Sequence, residues 1–234
     1  MRWAYGITTV PNRIRDLLPR TIKSLAAAGF DQPRLFIDGA RDVKNYAEWA
    51  LPITCRYPGI KIYGNWVLGM MELFIREPGM DRYAMFQDDL VCCLNLKQYL
   101  SLCPYPNQGY LNLYNVPQNE ELRPEGFAGW YPSNQMGRGA LALVFSREAL
   151  TTLFNQPYVI NKARSVLGWK SIDGTIMDAM KMIGWQEYVH KPSLVQHTGK
   201  ISTLQNHQRP ISTTFPGEDF DPMSIVCPVS QTNC

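Results

Sequence analysis

The stretch Arg82-Tyr-Ala-Met-Phe-Gln-Asp-Asp-Leu-Val91 decides how this chain folds. Tyr83 to Phe86 is a short apolar run rich in aromatics, the composition of a buried strand. It stops at two adjacent carboxylates, Asp88 and Asp89, and the apolar pair Leu90 and Val91 follows. Acidic side chains are seldom left buried unless they are paired or bind a metal. Open α/β sheets hold their ligands at the carboxyl ends of their strands, so a ligand site is one reading of the pair. A strand that ends in a solvated acidic turn is the other.

The residues before this stretch favour the first reading. Trp3-Ala-Tyr-Gly-Ile-Thr-Thr9 reads as the opening strand, and Val10-Pro-Asn-Arg13 as the turn leaving its carboxyl end. Asp16 is expected to cap a helix in which Leu17, Leu18, Ile22, Leu25 and Ala26 recur at helical spacing up to Gly29. Pro19 falls in its first turn, where a missing N–H costs nothing. Arg34-Leu-Phe-Ile-Asp38 is a second strand ending in an acid, followed by Gly39. A helix is expected near Val43 to Ala50, a strand at Ile60 to Tyr63, and a helix over Gly69 to Arg76. Strands that alternate with helices and end in Asp predict a parallel, doubly wound α/β sheet with a nucleotide-sized crevice at its carboxyl edge. No glycine-rich phosphate loop follows the first strand, so neither a dinucleotide fingerprint nor a P-loop is present. A diphosphate bound here would need another counter-charge, which a divalent metal on Asp89 supplies.

The second half changes character. Gly109 to Asn115 and Gly139 to Phe145 read as strands, and Ser146 as the cap of a helix through Leu153. Residues 117–138 read as a loop offering Arg123, Trp130, Tyr131 and Arg138. Asp173-Gly174 opens a helix whose Ile176, Met177, Met180 and Ile183 form an apolar stripe, a core face rather than a cofactor box. From about residue 205 the chain is polar and Pro-containing, an irregular tail expected to wrap the surface.

Composition bounds these readings. With 45% hydrophobic and 18% charged residues the 234-residue chain is globular, one large domain or two small ones. The net charge of +3, from 23 basic and 20 acidic residues, is too mild to demand a polyanionic partner. No apolar run reaches membrane-spanning length and no basic-then-apolar leader precedes the first strand, so the expected location is cytoplasmic. The six cysteines contain no Cys-x-x-Cys pair, which disfavours structural zinc. Cys92 and Cys93 after the strand read as small buried hydrophobes. Cys227 and Cys234 either pair or stay free.

Three stretches resemble the nucleotide-sugar-dependent glycosyltransferases of the GT-A fold. Thr8-Thr-Val-Pro-Asn-Arg13, with the helix after it and Leu35-Phe-Ile-Asp-Gly39, is similar to their nucleotide-binding first half. Phe86-Gln-Asp-Asp-Leu90 resembles their DXD-type metal motif, in the Glu-Asp-Asp form of several N-acetylglucosaminyltransferases, with Gln87 in place of the first acid. Pro192-Ser-Leu-Val-Gln-His-Thr-Gly199 with Ser202 is similar to a segment near the end of their catalytic domains. The resemblance implies a GT-A catalytic domain over 1–204, its nucleotide half over 1–91 and its acceptor half over 109–204, and a tail over 205–234. It implies a mixed, mostly parallel central sheet and an inverting, metal-dependent transfer from a nucleoside-diphosphate sugar, a UDP-sugar above others, to an acceptor hydroxyl.

Residue by residue, the resemblance makes Asp89 and His197 the ligands of Mn²⁺ or Mg²⁺. Imidazole beside carboxylate tilts the choice toward Mn²⁺. Thr8, Thr9, Val10, Arg13, Asp38 and Gly39 would line the nucleotide pocket beside Asp88, and Gln87 would hydrogen-bond a ribose or sugar hydroxyl. Lys200 would contact a phosphate. Asp173 would be the general base, with Glu218 and Asp219 as runners-up. The blander roles are a satisfied core histidine for His197, a solvated loop lysine for Lys200 and a helix cap for Asp173. The acceptor is expected to be an ordinary hydroxyl on a saccharide or protein, with a hydroxymethylated pyrimidine in DNA as the alternative. A metal-dependent hydrolase or nucleotidyltransferase, or a non-catalytic sugar-nucleotide binding module, are the competing classes.

Overall fold

The computed structural model describes residues 1–163, 172–198 and 211–225. Strands β1 (Trp3–Thr9), β2 (Arg34–Asp38) and β3 (Ile53–Arg56) and, on the other side of β1, β4 (Arg82–Gln87) run parallel in the spatial order β3-β2-β1-β4. Helices α1 (Leu18–Ala27) and α2 (Lys61–Arg76) make the crossovers. The chain steps outward from β1 to β3 and returns to β4 beyond β1, so the carboxyl ends of β1 and β4 flank a topological switch point. Thr8 stands beside Gln87 in that pairing. The doubly wound reading of the first half therefore describes its connectivity.

The second half extends the same sheet. After β5 (Leu90–Cys92) and α3 (Leu96–Leu102) come β6 (Gly109–Asn112), α4 (Pro117–Glu120), β7 (Gly129–Pro132) and β8 (Ala142–Ser146). Then follow α5 (Arg147–Phe154), α6 (Pro157–Ala163), α7 (Ile172–Lys181), β9 (Gln186–Lys191) and β10 (Val195–His197). β8 joins antiparallel to β4 and completes an eight-stranded mixed sheet, β3-β2-β1-β4-β8-β6-β9-β7. β10 and β5 form a separate antiparallel ribbon that places His197 opposite Leu90, directly after the acidic pair.

Burial follows from strand alternation. Leu35, Ile37, Ala84 and Phe86 face one apolar layer with Leu18, Leu25 and Phe30. Phe36, Tyr83 and Met85 face the other, with Trp66, Met70, Phe145, Ile176 and Met180. Both faces are covered, which is why Tyr83 to Phe86 is continuously apolar. Cys92, Cys93 and Cys103 are buried and Cys55 is half-buried; Cys227 and Cys234 lie outside the described residues. No helix among the described residues is long and apolar enough to cross a membrane.

Several local readings are corrected. Ile60 to Tyr63 is not a strand: α2 begins at Lys61, and the third strand lies earlier, at Ile53–Arg56. The apolar cluster at 60–63 belongs to a helical face continued by Trp66, Val67, Met70 and Leu73. Asp38 starts that helix from outside it, its carboxylate accepting from Ile60 N at 2.7 Å and Lys61 N at 2.9 Å. Asp16 caps nothing: α1 starts at Leu18, after Leu17, with no side-chain cap. Ser146 does cap α5, accepting from Ala149 N at 3.0 Å. Residues 117–138 contain α4 and β7, and Tyr131 is a core residue whose hydroxyl donates to Asn119 O at 2.9 Å. Its ring is therefore not offered for stacking on a ligand, and Trp130 packs edge-on against His190.

His190 itself is fully buried. Its Nδ1 lies 2.7 Å from Pro192 O, which can only accept, so Nδ1 carries the proton and Nε2 accepts from the Tyr99 hydroxyl at 2.8 Å. Burial lowers its pKa from the ordinary 6.5 to about 4. The unfolded chain takes up this proton before the folded chain does. Stability is therefore complete above pH 6.5 and declines as pH falls toward 4, by about 3 kcal/mol in all. Urea unfolding at steps between pH 7 and pH 4 should show this loss in the wild type and not in His190→Gln.

Candidate functional site

The acidic turn after β4 is held from every side. Thr21 on α1 is fully buried; its hydroxyl lies 2.9 Å from the carbonyl oxygens of both Asp88 and Leu90, and it accepts from Leu90 N. Thr9, at the end of β1, donates to Asp88 Oδ2 at 2.6 Å. Thr198 N donates to Asp89 O at 2.9 Å, tying the segment after β10 to the same turn. The ends of β1, β4 and β10 thus converge on the Asp88-Asp89 pair.

Among the described residues, Arg13 brings a cation to this centre. The short 3-10 turn Pro11–Arg13 leaves the end of β1 and closes with Arg13 N donating to Val10 O at 3.0 Å. It delivers Nη1 to 2.6 Å from Asp88 Oδ1 and 3.3 Å from Asp89 Oδ2. The guanidinium side chain is 12% exposed and the carboxylates 2% and 0%. Burial works against the Arg13 charge, yet Asp88 and then Asp89 outweigh it and raise its pKa. Burial likewise pushes the Asp88 carboxyl up, while Arg13 and Thr9 favour its anion. Among the described residues, two carboxylates face this one guanidinium.

His197 Nδ1 lies 3.6 Å from Asp89 Oδ1, on the oxygen that does not face Arg13. The two expected metal ligands are therefore adjacent. Among the described residues no group of three or more His, Cys, Asp or Glu is placed to hold a metal. One carboxylate and one imidazole are a donor set that suits an ion completing its shell with water and phosphate oxygens, as Mg²⁺ and Mn²⁺ do. The residues fit such an ion.

The acceptor-side residues reach the same edge through one loop. Gln87 Nε2 donates to Ala140 O at 2.7 Å, and Asp173 Oδ2 accepts from Gly139 N at 2.9 Å. Asp173 lies in the first turn of α7 and uses its carboxylate to fasten this loop. Gly137, at φ +59°, packs so closely on α7 that a Cβ would stand 2.6 Å from Gly174 Cα. The Tyr114 ring meets His197 edge-on at 5.1 Å, and a Cβ on Gly139 would strike that ring. Packing thus links His197 to the loop that anchors Asp173.

Other expected residues divide by place. Thr8 is buried and donates to Phe86 O at 3.3 Å, Val10 starts the turn that carries Arg13, and Gly39 follows β2 at φ +85° with open space around it. Asp38 lies at the same sheet edge, already serving α2. Glu218 is ion-paired with Arg20 at 2.8 Å, and Asp219 is exposed beside it. Lys200 lies outside the described residues.

Two buried carboxylates escaped the sequence reading. Glu187 on β9 accepts from the Tyr110 hydroxyl and from Asn112 Nδ2, each at 3.2 Å. Burial pushes its carboxyl up, and the nearby Asp173 charge adds to this. Glu120, in α4, holds the chain where it returns at 211–225, accepting from the hydroxyls of Ser212, Thr213 and Thr214 and from Thr213 N and Thr214 N. Gln196, next to His197, grips the same strap through Ser212 N and Ser212 O. Burial alone would raise the Glu120 carboxyl, but these hydrogen bonds outweigh it and hold its pKa below 4.5. Its contribution is present above pH 4.5 and fades as pH falls through the lower, folded value. Glu120→Ala should cost about 2 kcal/mol in urea unfolding. Limited proteolysis should then cut between residues 211 and 216 before the rest of the chain.

No protein-family model and no curated protein matches this sequence. Solved structures do resemble its fold. The crystal structure of GalNAc-T7 with UDP, GalNAc and Mn²⁺ aligns with a TM-score of 0.60 at 10% identity, covering 84% of this chain and 44% of that one. The present chain thus spans less than half of that protein's length. A nucleotidyl transferase from Methanothermobacter thermautotroptrophicus aligns at 0.49 with 13% identity over 82% of this chain and 88% of that one. The UTP-bound UGPase from Acinetobacter baumannii aligns at 0.48 with 11% identity over 86% and 90%. The mixed eight-stranded α/β sheet of this chain is a GT-A-like, Rossmann-like fold.

Proposed function

We propose that this chain is a metal-dependent, inverting glycosyltransferase that moves a sugar from a nucleoside-diphosphate sugar, a UDP-sugar above others, to an acceptor hydroxyl. The observation that carries the reading is the meeting of Asp89, His197 and Arg13 at the switch point of the sheet, with Asp173 in the first turn of α7 fastening the adjoining loop. The GalNAc-T7 structure, similar in fold, holds UDP and Mn²⁺, which supports the reading.

Asp89 and His197 would hold Mn²⁺ or Mg²⁺. When bound, the ion neutralises the diphosphate as negative charge develops on it. The chain's own residues do the rest. Thr8, Thr9, Val10 and Gly39 line the approach, and Arg13 supplies a cation for a phosphate oxygen. Gln87 spends its amide N–H on Ala140 O, and its carbonyl oxygen is the part suited to accept from a ribose or sugar hydroxyl. Asp173 takes the acceptor's proton as the acceptor oxygen bonds to the anomeric carbon and the bond to the diphosphate oxygen breaks. The nucleoside diphosphate leaves, and configuration inverts.

A net charge of +3 gives no broad field for a polyanion, so a hydroxyl on a saccharide or protein is favoured over a modified base in DNA. The test is release of nucleoside diphosphate from a panel of nucleotide sugars with Mn²⁺, with and without hydroxyl acceptors. Release that requires an acceptor supports transfer. Release to water alone, or pyrophosphate formed from a nucleoside triphosphate and a sugar phosphate, would replace it with hydrolysis or nucleotidyl transfer.

A further inference from the structure

We infer that Arg13 is a resident counter-cation which competes with a divalent ion for Asp89, so that metal and nucleoside diphosphate bind cooperatively and metal alone binds weakly. The inference rests on the function proposed above and adds an order of events to it.

The argument starts from charge. Asp88 and Asp89 are adjacent and almost wholly buried, and two ionised carboxylates in such a place need a cation. Among the described residues Arg13 supplies one, and its contacts are unequal. Nη1 lies 2.6 Å from Asp88 and 3.3 Å from Asp89, so Asp88 is its primary partner and Asp89 its secondary one. Asp88 is further engaged by Thr9, whereas Asp89 turns its other oxygen toward His197. The pair is thus divided into one carboxylate for Arg13 and one shared between Arg13 and the metal position.

A divalent ion arriving at Asp89 and His197 meets a guanidinium already on the same carboxylate. Arg13 and both carboxylates are largely shielded from water, so repulsion between the guanidinium and an ion at Asp89 would be only weakly screened. Metal alone must compete with Arg13 for Asp89 and set two positive charges beside the guanidinium. A diphosphate offsets that repulsion, because it brings at least two negative charges and acceptor oxygens for the guanidinium fork. Each ligand therefore lowers the cost of binding the other. Linkage requires the factor to be the same in both directions.

The test uses the full-length chain, Mn²⁺ and UDP. Free Mn²⁺ is read by its electron paramagnetic resonance signal, and UDP binding by calorimetry in EDTA and in Mn²⁺. In the wild type, UDP should tighten Mn²⁺ binding tenfold or more, and Mn²⁺ should tighten UDP binding by the same factor. Arg13→Gln, close in length but uncharged, should bind Mn²⁺ without nucleotide at least tenfold more tightly than the wild type and lose most of the coupling. Arg13→Lys, which keeps the charge, should restore weak binding of Mn²⁺ alone. If Arg13→Gln is unfolded without metal, Mn²⁺ alone should refold it, which reads the same preference as folding.

The inference is overturned if Arg13→Gln binds Mn²⁺ no more tightly than the wild type, or stays unfolded in Mn²⁺, while the wild type binds Mn²⁺ with UDP. A wild type that binds neither Mn²⁺ nor UDP overturns the proposed function itself.

Discussion

Asp173→Asn should reduce sugar transfer by about 10²–10⁴-fold, the range that a positioned general base contributes, while leaving donor binding as in the wild type. The asymmetry follows from what Asp173 touches. Its Oδ2 accepts from Gly139 N, and an asparagine carbonyl oxygen can accept the same bond. The loop over residues 137–139 therefore keeps its place, as do Gln87 on Ala140 O and Tyr114 against His197. What asparagine lacks is a site for the acceptor's proton. Single-turnover transfer together with UDP calorimetry separates the two effects. Transfer at the wild-type rate would remove Asp173 from its role. Loss of UDP binding would instead assign it to the donor site.

Asp89→Asn should abolish the metal dependence of nucleotide binding and lower transfer by at least about 10²-fold, the size of effect seen when one electrostatic stabiliser of a leaving group is removed. Asparagine fills the same volume, and the backbone bond from Thr198 N to residue 89 is unaffected. Arg13 retains Asp88, at the shorter of its two distances. The fold without metal should therefore survive, with Arg13 still paired to Asp88. Melting without ligand should move little, and the added effect of Mn²⁺ on UDP binding should vanish. Mn²⁺ dependence preserved in this variant would place the ion elsewhere.

How far the sequence foretold this arrangement depends on the range over which each signal acts. The strand at Tyr83 to Phe86 and its acidic end were legible because apolar runs and adjacent carboxylates are local features. The switch point followed from alternating strands and helices. The misread strand at Ile60 to Tyr63 has a physical cause: these four residues at the start of α2 carry three apolar side chains, and only Trp66, Val67 and Met70 beyond them reveal the 3.6-residue period. The structural duty of Asp38 was invisible because a strand-end acid that caps a helix 22 residues later looks like any other strand-end acid.

Glu120, Glu187 and His190 were illegible for a stronger reason. Each is buried at no free-energy advantage unless its partners arrive, and those partners lie far along the chain. Glu120 waits for Ser212, 92 residues on, and Glu187 is met by Tyr110, 77 residues back. His190 is met by Tyr99, 91 residues back. Nothing local to Gln118-Asn-Glu-Glu121 marks Glu120 over its neighbour Glu121. Arg13 was expected in the nucleotide pocket, but its hold on the acidic pair depends on β1 and β4 being neighbours, which is a property of the fold.

The most direct measurement is thermal melting of the wild-type chain against a panel of nucleoside diphosphates, each with and without Mn²⁺. A diphosphate present at a hundred times its dissociation constant adds about 2.7 kcal/mol of stability, a clear rise in the midpoint. The account predicts such a rise for one diphosphate, UDP before the others, and only when Mn²⁺ is present with Asp89 intact. A midpoint that no diphosphate moves, with or without metal, would contradict the claim that the edge formed by Arg13, Asp88, Asp89 and His197 binds a nucleotide.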